Sequence, residues 1–209
     1  AIVHHGQQLL KVDALADSDL KQVLQVITTH FPTGAIVQRT ISGLKQTYVP
    51  KQTPAATLAT IRRYYQALQL VDDFAQVSAA NVQDQITKVG VTFGPTIDYS
   101  QAVAQLRAAL PAGLVSQNSG LHTELIGNTG IDKVTGIQQL QARYQIAADE
   151  IMTFGDNEND LGMLQMTPHG FAMPNAAALI RQKAPQLALA DHNHAGVLAT
   201  IEQQLAISH

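Results

Sequence analysis

Three carboxylates crowd into the stretch Gly155-Asp156-Asn157-Glu158-Asn159-Asp160, which follows a short apolar run. Neighbouring carboxylates repel one another, and a hard cation such as Mg²⁺ or Ca²⁺ would relieve that repulsion. A calcium loop of the EF-hand type is excluded, because Leu161 stands where a glycine is needed and Thr167 where a bidentate glutamate is needed. Acidic and amide residues also cap helices, and these residues alone leave that plainer interpretation open.

A second chemical signal is Lys133, which follows Gly130-Ile131-Asp132 and precedes an apolar stripe of helical spacing. The helix macrodipole disfavours a cation at a helix N-terminus by about 0.3 kcal/mol or more. A lysine in that position can therefore serve to meet an anion beside the free amides of the first turn. A solvated surface lysine is the alternative interpretation.

The elements around these residues alternate regularly between strand and helix after residue 127, which predicts a parallel, doubly wound sheet. The predicted strands are 151–154, 170–173 and 187–190, and the predicted helices are 133–144, 161–166, 176–183 and 196–205. Lys133 and Asp156 each start an element or loop at the same end of that sheet, where ligands bind in such folds. A basic group and a metal-binding carboxylate at one edge indicate a phosphoryl-transfer site.

The block from about 11 to 120 has a different layout, with strands in pairs and single helices between them. Helices are predicted to begin at Asp17 or Ser18, after Thr53-Pro54 with a stripe that runs to Leu68, and at Ser100. Strands are predicted at 35–40, 46–49, 74–79, 85–93, 114–117 and 122–126. This order predicts an α+β layer with an antiparallel sheet.

The composition excludes several classes of protein. The net charge of the 209 residues is −3 and like charges do not cluster, so neither a nucleic acid nor an acidic membrane surface is expected as a partner. Apolar runs fall short of the roughly 20 residues that span a bilayer. No cysteine is present, which excludes disulfides and thiolate metal sites. With no signal peptide apparent, a cytoplasmic location is predicted.

Four stretches resemble the haloacid-dehalogenase superfamily, in its Cof-type, sugar-phosphatase-like branch. They are 130–133, 154–164, 170–176 and 191–197, and they occur in the order of the family's motifs. The resemblance implies an α/β fold with a partial Rossmann-like parallel-sheet core and an inserted α+β cap. It assigns residues 1–10 and 121–209 to the core, incomplete at its N-terminus, and residues 11–120 to the cap.

The function implied by the resemblance is a Mg²⁺-dependent phosphatase acting on small phosphorylated metabolites through an aspartyl-phosphate. Asp156 would bind Mg²⁺, and Lys133 would neutralise the phosphate and the nucleophile. Asn159 would hydrogen-bond the phosphate, and Asp160 would hold Lys133 and the metal-bound water. Asn175 would support the loop from behind these residues.

The sequence departs from the family at the nucleophile, which lies in an Asp-x-Asp motif after the first strand. Only Asp17-Ser18-Asp19 has that spacing, and it reads as a helix start. We therefore expect the chain to be a fragment without about 60 residues, or two βα units. The strand before Asp156 would then have an open edge, which a homodimer could cover.

Two other interpretations remain. The first is a catalytically inactive remnant that at most binds Mg²⁺ or phosphate, and the second, more distant, is a flavodoxin-like signalling domain, which would not explain Lys133 or the block at 11–120. A transition-metal site at His192 and His194 is disfavoured, because an i, i+2 pair in a loop is typical of surface histidines.

Overall fold

The computed structural model describes residues 2–6, 8–32 and 34–207, apart from the side chains of His5 and Ile207. The chain divides into two compact units, Ala1–Ile131 and Asp132–His209. Two residues of the predicted core segment 1–10, Ala1 and Gln7, lie outside the described residues. None of the helices in the described ranges is long and apolar enough to cross a membrane.

The first unit opens with an antiparallel ribbon of β1 (Ile2–His5) and β2 (Gln8–Val12). Its main feature is a six-stranded sheet in the order β5-β4-β3-β6-β8-β7, in which every pairing is antiparallel except the parallel pairing of β4 with β5. These strands are β3 (Ile36–Gly43), β4 (Thr47–Pro50), β5 (Leu68–Val71), β6 (Ile86–Phe93), β7 (Leu114–Asn118) and β8 (Thr123–Asn128). The helices are α1 (Asp17–His30), α2 (Ala55–Ile61), α3 (Ala79–Val82) and α4 (Tyr99–Ala109).

The core of this unit lies between the sheet and helices α1 and α4. Helix α1 buries Leu20, Val23, Leu24 and Ile27, which is the stripe predicted from helical periodicity. On β6, Val89 and Val91 are fully buried two residues apart, as expected for one face of a strand.

Several predictions for the first unit are wrong. Helix α2 ends at Ile61, and the last residue of its predicted stripe, Leu68, begins β5 because it pairs with Thr47 of β4. That pairing is parallel, so the sheet is mixed and not wholly antiparallel. The predicted strand 74–79 is a 3-10 turn at Phe74–Gln76 followed by the start of α3.

Side chains that accept hydrogen bonds from backbone amides explain why residues 74–79 do not form a strand. The Asp73 carboxylate accepts a hydrogen bond from the N–H of Ala75 at 3.0 Å, and the Ser78 hydroxyl accepts one from the N–H of Asn81 at 3.2 Å. Such local bonds favour turns and helix starts over a strand. The N-cap position of helix α1 is Ala16, and the Asp17 carboxylate accepts a hydrogen bond from the N–H of Ala79 at 2.6 Å.

The second unit alternates between helix and strand as predicted. Its parallel sheet has the order β11-β10-β9, from β9 (Met152–Gly155), β10 (His169–Ala172) and β11 (Gln186–Leu187). The helices are α5 (Lys133–Tyr144), α6 (Leu161–Gln165), α7 (Ala178–Lys183) and α8 (Gly196–Ile207). The bounds predicted for α5 are confirmed. The predicted strand 187–190 overlaps the observed β11 only at Leu187, and the N–H of Leu189 bonds to the Thr200 hydroxyl at 3.0 Å instead of to a strand.

The described chain divides later than the predicted boundary at 120/121. Strand β8 pairs with β6 and β7, so residues 121–131 belong to the first compact unit. The assignment of residues 1–10 to the core stays a prediction. Mixed parallel and antiparallel sheets with packed helices confirm the predicted α/β class.

Candidate active site

The acidic loop, residues 155–160, folds around the buried carboxylate of Asp160. Strand β9 ends at Gly155, and a 3-10 turn at Glu158–Asp160 leads into α6. Asp160 is 4% exposed, and its Oδ2 accepts hydrogen bonds from the backbone N–H of Asp156 at 3.0 Å and of Asn157 at 3.1 Å. The carboxylate therefore fixes the backbone on which the Asp156 side chain is carried.

Gly155 makes this closure possible. A Cβ atom at position 155 would lie 2.3 Å from the Cβ and 2.7 Å from the Cγ of Asp160. Distances that short are not tolerated between carbon atoms, so a glycine is required where the loop folds back on the end of the strand.

Lys133 is positioned by the cap of helix α5. The Asp132 carboxylate accepts from the N–H of Thr135 at 3.0 Å, and the Thr135 hydroxyl accepts from the N–H of Asp132 at 3.2 Å, which completes a capping box. The Lys133 ammonium donates a hydrogen bond to Oδ1 of Asp160. Its side chain is 49% exposed, so an ammonium with three donors can also meet a ligand from solvent.

A second glycine brings α6 close to the N-terminus of α5. A Cβ atom at Gly162 would lie 2.9 Å from Cγ2 of Val134, the residue after Lys133. The absence of a side chain at this point lets the two helices approach. Asp160, which caps α6, consequently lies within reach of Lys133.

The side chains of Lys133, Asp156 and Asp160 line one cavity of about 420 Å³ within the second unit. Asp156 is half-buried there, and its Oδ1 accepts a hydrogen bond from Nδ2 of Asn157 at 2.8 Å. The cavity combines one ammonium, two carboxylates and an apolar wall; it is lined by Lys133, Phe154, Gly155, Asp156, Asp160, Met173, His192 and Val197.

The oxygen donors in this cavity are of the kind that Mg²⁺ takes. Asp160 is occupied by Lys133 and two amides, which leaves the Asp156 carboxylate as the anionic donor. Among the described residues, no group of three or more histidines and carboxylates could together hold a metal ion. Mg²⁺ usually keeps several waters and takes one or two carboxylates together with substrate phosphate, whereas Zn²⁺ and Ca²⁺ require more protein ligands.

The structure brings three of the predicted site residues together, namely Lys133, Asp156 and Asp160. Asn159 is half-buried in the 3-10 turn and Asn175 is exposed after β10, and neither belongs to the described residues that line the cavity. Their predicted roles stay predictions.

Met173, Val197 and His192 line the cavity and were not predicted as site residues. Met173 directly follows β10, the neighbour of β9, so the position of strand ends in a parallel sheet was the signal that could have found it. His192 and His194 lie in an exposed 3-10 turn, where Nδ1 of His194 contacts Oδ1 of Asp191 at 2.6 Å. That hydrogen bond lowers the pKa of Asp191.

Comparisons with known proteins identify the family and the fold. A model of the haloacid dehalogenase-like hydrolases matches residues 1–201. Over 185 residues the chain is 28% identical to the 5-amino-6-(5-phospho-D-ribitylamino)uracil phosphatase YbjI of Escherichia coli (strain K12), a match that covers 88% of this chain and 66% of that protein. Over 63 residues it is 35% identical to the phosphatase of the same description, YitU, from Bacillus subtilis (strain 168), covering 30% of this chain and 23% of YitU.

The structural comparison extends over both units. SMU.1108c from Streptococcus mutans UA159 superposes with a TM-score of 0.84 at 25% sequence identity, covering 99% of this chain and 74% of that one. The chain thus spans about two thirds to three quarters of the length of YbjI and SMU.1108c.

Proposed function

This chain belongs to the haloacid dehalogenase-like hydrolase family, in its Cof-type branch, and on that premise we propose that its second unit binds Mg²⁺ and phosphate as part of a phosphatase for small phosphorylated metabolites. The observation that carries the proposal is the Lys133–Asp160 pair, which lies in one cavity with Asp156. The family match sets aside the flavodoxin-like alternative. The name of the relative YbjI suggests a phosphate monoester on an uncharged polyol and ring as the substrate.

Each of the three residues has a separate task. Asp156 would hold Mg²⁺ through its carboxylate, and the bound cation would supply positive charge against the phosphate oxygens. Lys133 would donate to a phosphate oxygen and orient it, since its ammonium is half exposed. Asp160 would act through the other two, because it holds the ammonium and the backbone of Asp156.

We further propose that the 209-residue chain binds without turning over. The only Asp-x-Asp in the sequence, Asp17-Ser18-Asp19, forms the first turn of α1 and not the end of a strand. The Asp17 carboxylate is also occupied by the backbone N–H of Ala79. This favours binding without turnover for the chain by itself, which is the inactive-remnant interpretation and the second candidate beside an active phosphatase.

Calorimetric titration of the purified chain tests the binding site. We expect Asp156→Asn to weaken Mg²⁺ binding by about tenfold to a hundredfold, because a neutral amide replaces the charged ligand. Lys133→Gln should weaken phosphate binding by about tenfold through loss of a charge-assisted hydrogen bond. The matched controls are Asp149→Asn and Lys183→Gln, since both residues are exposed and neither is among the described residues that line the cavity.

Measurements on the same protein samples distinguish an active phosphatase from a chain that only binds Mg²⁺ and phosphate. Unchanged Mg²⁺ affinity in Asp156→Asn would overturn the proposed metal site, whatever the other variants do. Assay with p-nitrophenyl phosphate and Mg²⁺ then decides between binding and catalysis. Mg²⁺-dependent turnover by the wild-type chain, well above a blank without protein, would show that it carries its own nucleophile and would contradict the binding-only proposal.

A further inference from the structure

The loop that joins β10 to α7, residues 173–177, borders the cavity of the candidate site. Met173 is buried, and its side chain lines that cavity. The backbone N–H of Met173 donates a hydrogen bond to the carbonyl oxygen of Gly155 at 2.9 Å. Because Gly155 directly precedes Asp156, the position of the Asp156 carboxylate is coupled to the conformation of this loop.

A side chain of α7 reaches back to the same loop. Nη1 of Arg181 donates a hydrogen bond to the carbonyl oxygen of Pro174 at 2.7 Å, which is short, as expected for a charged donor. The ring of a proline fixes its φ, so the direction of the Pro174 carbonyl depends on ψ alone. The bond from Arg181 therefore fixes the one backbone angle that is free at the residue after Met173.

The helix that carries Arg181 is itself anchored in the core of the second unit. Ile180 is 3% exposed and packs in one cluster with Leu164, Ala172 and Ala176. The N-cap position of α7 is Ala177, whose side chain makes no capping hydrogen bond. The loop is thus tied by the N–H of Ala176, which donates to the carbonyl oxygen of Met173 at 2.9 Å, and by the guanidinium of Arg181.

We propose that Arg181 is a positioning residue for the metal-binding carboxylate. It holds the carbonyl of Pro174, and through Met173 it fixes the end of β9 from which Asp156 projects. Arg181 is exposed and is not among the described residues that line the cavity, so its effect on a ligand is indirect. The inference rests on the proposed function insofar as Asp156 is the ligand of Mg²⁺.

The charge of Arg181 makes the sign of the effect informative. Loss of a positive charge near a cation site strengthens cation binding or leaves it unchanged, because like charges repel. Positioning predicts the opposite result. Arg181→Met keeps the apolar stem but removes the donor, and we expect it to weaken Mg²⁺ binding to the full 209-residue chain by about threefold to tenfold in calorimetry.

A conservative variant is expected to restore binding. Arg181→Lys keeps the charge and a donor, and the contact with Pro174 is a single hydrogen bond, so an ammonium can replace the guanidinium there. Mg²⁺ affinity in this variant should lie within about twofold of the wild-type value.

Gln165→Ala is the matched control. Nε2 of the exposed Gln165 donates to the carbonyl oxygen of Lys183 at 3.3 Å, so this side chain is also tied to the backbone of α7, but at the last residue of that helix. We expect Gln165→Ala and Arg181→Met to lower the midpoint of thermal unfolding by a similar amount, about 4 °C or less. Gln165→Ala should leave Mg²⁺ affinity unchanged, and equal weakening in both variants would overturn the proposal.

Hydrogen exchange of the Met173 amide, measured by NMR without Mg²⁺, gives a second test. We expect Arg181→Met to accelerate this exchange by about tenfold, because the loop opens more often, while Arg181→Lys and Gln165→Ala leave it unchanged. Unchanged exchange at Met173, or Mg²⁺ binding that is unchanged or stronger in Arg181→Met, would overturn the proposal. Accelerated exchange in a chain whose Asp156 binds no Mg²⁺ would support the hold of Arg181 on the loop while refuting the proposed metal site.

Discussion

Replacement of Gly155 by alanine is expected to lower the free energy of unfolding by about 3 kcal/mol and to abolish Mg²⁺ and phosphate binding together. The added Cβ would lie 2.3 Å from the Cβ of Asp160, which therefore has to move. A displaced Asp160 loses its bonds to Lys133 and to the backbone N–H groups of Asp156 and Asn157. Urea denaturation gives the stability, and calorimetry on the folded variant gives the affinities.

Gly127→Ala is the matched control for this substitution. A Cβ atom at position 127, on β8, would lie 3.6 Å from the nearest atom, the carbonyl oxygen of Thr87, which is ordinary van der Waals contact. We expect a change within about 0.5 kcal/mol there. A Gly155→Ala variant as stable as Gly127→Ala, with normal Mg²⁺ binding, would show that the loop does not depend on the close approach to Asp160.

The second large effect is expected for Asp160→Ala, with a loss of about 2–4 kcal/mol in the free energy of unfolding. The substitution leaves the Lys133 ammonium and the N–H groups of Asp156 and Asn157 without the acceptor that now binds all three. The expected loss of unfolding free energy lies toward the lower end of what broken buried ion pairs cost, because Lys133 is half exposed and water can replace part of the lost interaction.

Partial substitutions divide this effect into its components. Asp160→Asn keeps one carbonyl oxygen that can accept from the N–H groups of Asp156 and Asn157, but it removes the charge that binds Lys133. We therefore expect a loss of unfolding free energy smaller than that of Asp160→Ala. Lys133→Gln alone should cost about 1 kcal/mol or less. If Lys133→Gln destabilises the chain as much as Asp160→Ala, the carboxylate's role in closing the loop is refuted and the ion pair alone accounts for the effect.

The candidate site was predictable because its determinants are local in the sequence. Lys133 is marked by the capping residues of α5 and the stripe that follows, and these signals predicted both ends of that helix. Asp156 and Asp160 lie on one strand-to-helix connection, so a parallel sheet brings them to the same edge as the start of α5. The contact between Lys133 and Asp160 was predicted through the family resemblance, and the structure contains it.

The errors arose where distant residues decide the local structure. Leu68 continues an apolar helical stripe in the sequence, yet it forms β5 because the edge of β4 offers hydrogen bonds for the backbone. His192 lies in the stretch 191–197 that resembles a family motif, but its residue type alone did not mark it, since a histidine in a polar turn looks the same whether or not a cavity lies beside it.

A crystal structure of the 209-residue chain soaked with phosphate and Mn²⁺, as an anomalously scattering substitute for Mg²⁺, tests the proposed site most directly. We expect the metal at about 2.2 Å from a carboxylate oxygen of Asp156, with phosphate at about 2.8 Å from the ammonium of Lys133. Metal density at other carboxylates with none at Asp156, or phosphate away from Lys133 under saturating conditions, would contradict it.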